Sequence, residues 1–371
     1  MPILQRNPGL RVGRVLTRRP LATVDGFPSE LLTNSLEEFL DGCDLVFEAS
    51  GDPIHATPIV EQALERGLPV VTMDSEFHVT VGSFFHDKGF LSEAEGDQPG
   101  ATALLHHEAL DMGFEPMAYV NIKGFLNRNP TREDMEYWSE KEKLRLDQVT
   151  SFTDGTKLQI EQALTANGLG LEIAKEDLLG PQQPDIYATD ELADVARELG
   201  QPISDYVVAP GAPPGVFILA EHDIHETLPD YGPYKKLRTR EGRAYLLLRP
   251  FHLCALEVAK SIAPVVREEL PMPLLNNGPV PRVSVAAVAK RSLRPGDFIE
   301  RGIGSFDVRG SCIRTTDHVD HVPIGLLAGA RLRRSVAVDE MITFDDVDLP
   351  ESRALEIWPL LRQRAVEHLE S

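Results

Sequence analysis

The chain has 371 residues, 42% of them hydrophobic and 26% charged, which is typical of a globular protein with two or three domains. Its formal net charge of −21 argues against nucleic acid or an anionic membrane as a partner, although not against a small-molecule substrate. We expect no membrane span, no signal peptide and a cytoplasmic location, because there is no long apolar run and the three cysteines lie far apart.

The first 90 residues carry the pattern of a parallel sheet. Residues 1–7 are typical of the end of a helix, Leu10–Leu16 alternates like a strand, and Asp44–Ser50 is an apolar run like a buried strand. A helix over Ile54–Arg66 and a strand over Leu68–Met73 follow. Together these elements predict a βαβ unit.

This unit resembles the NAD(P)-binding Rossmann domain of the homoserine dehydrogenase superfamily. The resemblance implies NADP or NAD as cofactor, with Ser50, Gly51 and Asp52 in a turn that faces the nicotinamide ribose. It places Arg18 and Arg19 beside the adenosine ribose, where guanidinium groups could pair with a 2′-phosphate. The alternative for the two arginines is a solvated pair of loop charges.

One part of the family pattern is missing. The family begins with a strand and a glycine-rich turn, GxGxxG, whose backbone N–H groups hold the pyrophosphate, and this sequence has no such motif. Met1 falls where the helix after that turn should already be ending. Either the start has been assigned too late or the phosphate cradle has been lost. We expect the late start, and we expect the chain as given to bind a dinucleotide poorly.

Residues 91–275 are predicted to form an α+β substrate domain with three polar clusters. The first is a tight turn that holds Asp97 and Gln98. The second is Lys123, at the end of a predicted strand Glu115–Ile122.

The third cluster lies on a helix predicted from residue 153 or 154 to an Asn-Gly pair near residue 167. Asp154, Lys157 and Glu161 follow at steps of three and four, so this helix would carry an acid, an amine and an acid on one face. Such a trio can bind a polyol or acid, move a proton or hold a divalent cation. The alternative is a helix capped by Asp154, with Lys157 and Glu161 as a solvated ion pair.

The rest of this region is less informative. We predict helices over Thr102–Met112, Thr189–Leu199 and from Arg249–His252 to Ile262, and strands over Val216–Ala220 and Tyr245–Leu248. The segment Tyr231–Lys236 has the composition of a loop that covers a substrate. His252, in the first turn of its predicted helix, could donate to a substrate phosphate or carboxylate, or could be a structural histidine.

Four motifs occur in a family order: GDQP at Gly96–Pro99, NIKGFLNRNP around Lys123, SFTDGTK at Ser151–Lys157 and LRPFHLCALE at Leu248–Glu257. They resemble homoserine dehydrogenase-like proteins with a C-terminal SAF domain. That group includes the 1-deoxy-D-xylulose 5-phosphate reductoisomerase-like proteins.

The resemblance implies roles for the polar clusters. Lys123 and Lys157 become candidates for proton transfer, while Asp97, Asp154 and Glu161 become carboxylates for the substrate or a metal. Which lysine does which task stays open. The turn also makes Gln98 a candidate for substrate binding, beside His252.

Residues 276–350 resemble a SAF domain, the small β-clip fold. The resemblance rests on VAAVAKRSLRPGDFIE at Val285–Glu300, on PIGLLAGARLRRSVAVDEMIT at Pro323–Thr343 and on DDVDLP at Asp345–Pro350. Strands are predicted over Arg282–Val288 and Ile342–Val347. Residues 351–371 are predicted to end the chain with an amphipathic helix over Leu355–Leu369.

The sequence therefore predicts three parts: an α/β, incomplete Rossmann-type parallel sheet over residues 1–90, an α+β substrate domain and a C-terminal β-clip. We expect an NAD(P)-dependent oxidoreductase for a small anionic hydroxy or keto substrate, such as a sugar acid or sugar phosphate, and a homo-oligomer. One alternative is a reductoisomerase, which needs Mg²⁺ or Mn²⁺. Another is a non-catalytic protein that binds a carbohydrate or a partner through the SAF module.

Overall fold

A computed structural model describes residues 2–224, 232–269 and 272–370. Tyr231 of the predicted covering loop lies outside these residues, while Gly232–Lys236 forms a short helix. No helix of the described chain is both long and apolar enough to cross a membrane.

The N-terminal region contains five short strands and four helices. Its strands are β1 (Val15–Leu16), β2 (Leu32–Thr33), β3 (Val46–Glu48), β4 (Val70–Thr72) and β5 (Leu91–Glu93), and its helices are α1 (Pro2–Gln5), α2 (Leu36–Leu40), α3 (Pro53–Glu65) and α4 (Ser75–Val81). Strands β3, β4 and β5 form one parallel sheet in that order, and β1 and β2 form a separate parallel pair. The predicted βαβ unit is present as β3, α3 and β4.

Two expectations for this region need correction. The predicted strand Leu10–Leu16 forms a ladder only at Val15–Leu16. The residues from Leu10 to Arg14 have no neighbouring strand in the described chain. Leu91–Glu93, which we had placed in the substrate domain, is the third strand of the parallel sheet. An apolar pattern of only three residues is too short to identify such a strand.

The central region is built on a mixed sheet of four strands with the order β7-β6-β8-β9. The strands are β6 (Glu115–Lys123), β7 (Ile203–Val208), β8 (Val216–Glu221) and β9 (Tyr245–Arg249). The helices are α5 (Gln98–Asp111), α6 (Arg132–Glu142), α7 (Leu146–Thr153), α8 (Thr156–Leu169), α9 (Asp190–Leu199), α10 (Gly232–Lys236) and α11 (Cys254–Val266).

The helix that we predicted to start at residue 153 or 154 begins only at Thr156. Asp154 is the C-terminal cap of α7, and the next residue, Gly155, has a φ of +86°, which changes the chain direction before α8 begins. Asp154 therefore does not share a helical face with Lys157 and Glu161. His252 is also displaced, since α11 begins only at Cys254.

The C-terminal region consists of short antiparallel strands and one long helix. The strands are β10 (Val283–Ala289), β11 (Phe298–Ile299), β12 (Val308–Arg314), β13 (Ala330–Leu332) and β14 (Val347–Asp348), and the helix is α12 (Arg353–Glu370). Strand β10 pairs with β12, and β11, β13 and β14 form a second sheet. Half of the predicted strand Ile342–Val347 is instead a 3₁₀ turn over Phe344–Asp346.

The C-terminal sheets share one core with the helices of the two preceding regions. Side chains buried together include Leu158 of α8, Val285 of β10 and Trp358 of α12. The backbone also joins them, since Gly310 of β12 donates to the hydroxyl of Thr156, at 2.9 Å. The helix that carries Lys157 is therefore held partly by the C-terminal strands.

Candidate active site

The candidate site starts at the carboxyl ends of the parallel strands, where the chain leaves the sheet in two polar turns. Ser50, Gly51 and Asp52 follow β3, while Asp74 and Ser75 follow β4. The hydroxyl of Ser50 lies 3.5 Å from a carboxylate oxygen of Asp74, and the N–H of Asp52 donates to the same oxygen at 3.1 Å. The predicted cofactor turn is therefore in contact with the turn after the next strand.

Lys157 extends from the first turn of α8 into this edge. Its Nζ donates to the hydroxyl of Ser75 at 3.0 Å and to Glu76 at 2.9 Å, and it lies 3.7 Å from Asp97. Burial disfavours the charged form, but the charges of Asp97, Glu76 and Glu161 outweigh it and raise the pKa of Lys157 well above its usual value. Lys157 is therefore a fixed ammonium at neutral pH.

Lys123 lies beside it, at the end of β6. Its Nζ is 3.2 Å from the amide oxygen of Gln98 and 3.5 Å from Glu161, and its side chain is 21% exposed. Asn121 donates to the same oxygen of Glu161, at 2.9 Å. Glu161 thus faces Lys123 directly, and the solvated i,i+4 ion pair between Lys157 and Glu161 is not formed.

Asp97 interacts with a second buried acid, Glu93 of β5. No N–H or O–H group of the described protein donates to the carboxyl oxygens of Glu93, so its contact with Asp97 is a hydrogen bond only when one of them is protonated. Burial and the charge of Asp97 raise the pKa of Glu93 well above its usual value. For Asp97, burial is outweighed by Lys157 and by the hydrogen bond from Ser75, which lower its pKa. When one proton is bound to the pair, it is therefore held by Glu93 rather than by Asp97.

The pair also touches a buried histidine. His78 Nε2 lies 3.4 Å from Glu93, and neither side chain is exposed. Burial lowers the pKa of His78 to about 3, so it is neutral at physiological pH. A similar acid pair contacts the predicted cofactor turn, where burial raises the pKa of both Glu48 and Asp74.

Asp154 does not join these groups. Its carboxylate accepts from Lys290 of the C-terminal region at 2.6 Å, and both side chains are almost fully buried. Lys290 also donates to the backbone oxygen of Ser305. The three carboxylates considered for a divalent cation, Asp97, Asp154 and Glu161, are thus directed at three different lysines. No group of three potential ligands for a metal occurs among the described residues.

The remaining predicted residues lie around the edge of this site. Arg18 forms an ion pair with Asp52 at 2.8 Å, and Arg19 is exposed in the same loop. His252 Nδ1 lies 3.3 Å from the backbone oxygen of Gly96, one residue before Asp97. Nothing in the structure tests the roles of these residues, which stay predictions.

Our sequence reasoning missed four residues that complete the site: Ser75, Glu76, Asn121 and Lys290. The signal for the first two was available, because they follow a predicted strand at the edge where parallel strands end. Asn121 lies two residues before Lys123, on the same face of β6. Nothing local pointed to Lys290.

Residues 96–258 match the family model described as oxidoreductase DRL, catalytic domain. The chain is an oxidoreductase. The match confirms the predicted class of enzyme and spans the residues that carry Asp97, Lys123, Lys157 and Glu161. It also sets aside the alternative of a non-catalytic binding protein. No curated protein matches the chain.

Amide variants of Glu93 and Asp97 test which of the two acids is neutral. We expect Glu93→Gln to change the free energy of unfolding at pH 7 by no more than about 1 kcal/mol, because an amide can replace a neutral acid as donor to Asp97. The matched variant Asp97→Asn removes a charge that faces Lys157 and should cost about 2–3 kcal/mol. Urea unfolding measures both, and equal losses would show that Glu93 is ionised.

Proposed function

We propose that this oxidoreductase uses NADPH or NADH to reduce a carbonyl group of a small anionic substrate, or catalyses the reverse reaction. The single observation that carries the proposal is the contact between two features of the edge. The predicted cofactor turn at Ser50 touches Asp74, and the next residue, Ser75, binds Asp97 and accepts from Lys157. The predicted cofactor turn therefore lies next to the cluster around Lys157.

The residues present fit one end of a dinucleotide. Gly51 has a φ of +66° and open space where a side chain would be, so a ribose can approach this turn closely. Ser50 and Asp52 offer a hydroxyl and a carboxylate to ribose hydroxyls. The pyrophosphate finds no equivalent cradle among the described residues, because the N–H groups of Ser50, Asp52 and Phe77 are already held by the carboxyl groups of Glu48 and Asp74.

A bound nicotinamide supplies or accepts the hydride. We propose that Lys123 moves the proton at the substrate oxygen, because it is partly exposed and is held by one carboxylate and one amide. Lys157 is held by several carboxylates and is fixed as an ammonium, so we assign it the task of orienting Asp97 and the substrate. Asn121 donates to Glu161 and so helps fix its position, while the amide oxygen of Gln98 accepts from both Asn121 and Lys123.

The nature of the C-terminal region and the need for a metal ion are also proposals. The C-terminal strands are proposed to be a SAF domain, which is supported by the motifs and by their antiparallel pairing. The reductoisomerase alternative would show itself by turnover that requires added Mg²⁺ or Mn²⁺.

The experiment that tests the proposed cofactor is a fluorescence titration with NADPH and NADH, extended to millimolar concentrations because we expect weak binding. We expect Arg18→Ala to weaken NADPH binding by roughly 10-fold to 100-fold and NADH binding much less, since only NADPH has a 2′-phosphate. Arg14→Ala, an exposed arginine in the same segment, is the control. If neither NADPH nor NADH binds, the proposal is contradicted.

A further inference from the structure

A buried histidine lies behind the active site, and the proposed function assigns it no task. His78 belongs to α4, and its side chain is not exposed. Its Nε2 lies 3.4 Å from a carboxyl oxygen of Glu93, which is equally buried at the end of β5. Glu93 also contacts the carboxyl group of Asp97. The three side chains therefore form a buried row with Glu93 in the middle.

Several polar atoms of this row need a hydrogen-bond partner. Without a proton on Glu93, both ring nitrogens of His78 and both carboxyl oxygens of Glu93 have none among the described residues. Buried polar atoms without a partner are uncommon, because each loses its hydrogen bonds to water on folding. Four of them in two adjacent side chains indicate that the two groups bond to each other once their protons are placed.

The surroundings of the histidine ring decide which nitrogen carries the proton. Burial lowers the pKa of His78 to about 3, so the ring is neutral and has a single N–H. Nδ1 faces Gly82, where a Cβ would lie only 2.9 Å from this nitrogen, and an N–H at Nδ1 would find no acceptor among the described residues. An N–H at Nε2 has Glu93 as its acceptor. The proton therefore belongs on Nε2.

A donor on this side of Glu93 fixes the proton on its other side. The oxygen that accepts from Nε2–H acts as the carbonyl oxygen, so the hydroxyl of the protonated carboxyl group is the second oxygen and can donate to Asp97. Asp97 also accepts from the hydroxyl of Ser75 at 2.9 Å and lies 3.7 Å from Nζ of Lys157. Asp97 is then held by two donors while it stays ionised towards Lys157.

We propose that His78 is a positioning residue of the active site, which donates from Nε2 to Glu93 and so directs the proton of Glu93 at Asp97. Its effect on the reaction passes through Asp97 and Lys157, and in that respect the inference rests on the proposed function. The hydrogen bonds themselves involve neither cofactor nor substrate. Without this donor the hydroxyl of Glu93 is free to turn away, and Asp97 loses one of the two donors that hold it.

Infrared difference spectroscopy of the whole protein tests the hydrogen bond to Glu93. A protonated carboxyl group has a C=O stretching band apart from the amide bands, and Glu93→Gln should remove one such band at pH 7. In His78→Leu we expect this band at a higher frequency, because the C=O group has lost its donor. In His78→Gln the amide N–H takes the place of Nε2–H, so the band should return towards its wild-type frequency.

A second buried histidine offers a matched control. His321 lies in the C-terminal region and is also almost fully buried, so His321→Leu should leave the band of Glu93 where it is. A band that does not move in His78→Leu would overturn the proposal. So would the absence of any carboxyl band that Glu93→Gln removes, because Glu93 would then be ionised.

Nitrogen-15 NMR of the histidine rings measures the tautomer in the unchanged protein, so this test does not depend on the folding of a variant. The ring of His78 is assigned through the backbone of residues 77–79. We expect an N–H at Nε2 and a bare nitrogen at Nδ1, with no change between about pH 5 and pH 8. A proton on Nδ1, or titration within this range, would contradict the inference. Since neither measurement uses a dinucleotide, failure of the NADPH and NADH titration leaves both results standing.

Discussion

Replacing Lys157 with methionine is expected to lower the free energy of unfolding by about 3–5 kcal/mol at pH 7 and to abolish activity. Lys157 is the cation between Glu76 and Asp97, and Glu161 adds to the same field. Methionine keeps most of the apolar stem but removes the charge, so several buried carboxylates lose their shared partner. Breaking a buried ion pair costs more than the pair contributes, because the remaining charge is left without solvent or partner.

The pH dependence of this loss follows from the directions of the pKa shifts. The raised pKa of Lys157 means that its contribution is present below about pH 10.4, the unfolded value, and is lost as the pH rises through the folded pKa. The lowered pKa of Asp97 means that its contribution is present above about pH 3.9 and is lost as the pH falls through its folded pKa. Between these limits the contributions of Lys157 and Asp97 are both present.

In the methionine variant the carboxylates can relieve their repulsion by binding protons. We therefore expect the destabilisation to be smaller at pH 5 than at pH 7, as measured by urea unfolding at both values. Lys235→Met, at an exposed position, is the control and should stay within about 0.5 kcal/mol. A loss below 1 kcal/mol for Lys157→Met, or one that does not change with pH, would mean that the cluster is solvated rather than buried.

The second large effect is expected at the contact between the end of α7 and the C-terminal region. Lys290→Met should lower the free energy of unfolding by about 3–5 kcal/mol, because Asp154 would keep a buried charge with no cation beside it. Burial already raises the pKa of Asp154, with Lys290 opposing that rise. Removal of Lys290 should raise it further, so the loss should shrink as the pH falls.

A double variant separates the charge from the packing. Lys290→Met combined with Asp154→Asn removes both charges and keeps the side chains close to their original size, so we expect it to recover most of the lost stability. Urea unfolding of the wild type, both single variants and the double variant forms a complete cycle. If the double variant is no more stable than Lys290→Met, the loss comes from packing of the lysine stem and not from an uncompensated Asp154.

Much of the local structure was accessible from the sequence. The βαβ unit follows from apolar runs separated by turn residues, and β6 with Lys123 at its end follows from a mostly apolar stretch. The motifs around Asp97, Lys123 and Lys157 correctly indicated an oxidoreductase, as the family match shows. Helix α8 begins and ends about two residues later than predicted, because Gly155 separates Asp154 from its first turn and the helix continues past Asn167 to Gly170, its C-terminal cap.

The sequence by itself determined the elements and the kind of enzyme, since both depend on patterns within short stretches of chain. Only the tertiary structure decided which charges meet. Lys157 binds Glu76 rather than Glu161, and Asp154 binds Lys290 of the C-terminal strands. The reason is physical: a buried charge requires a partner of opposite sign, and the packing of helices and sheets decides which one lies within reach.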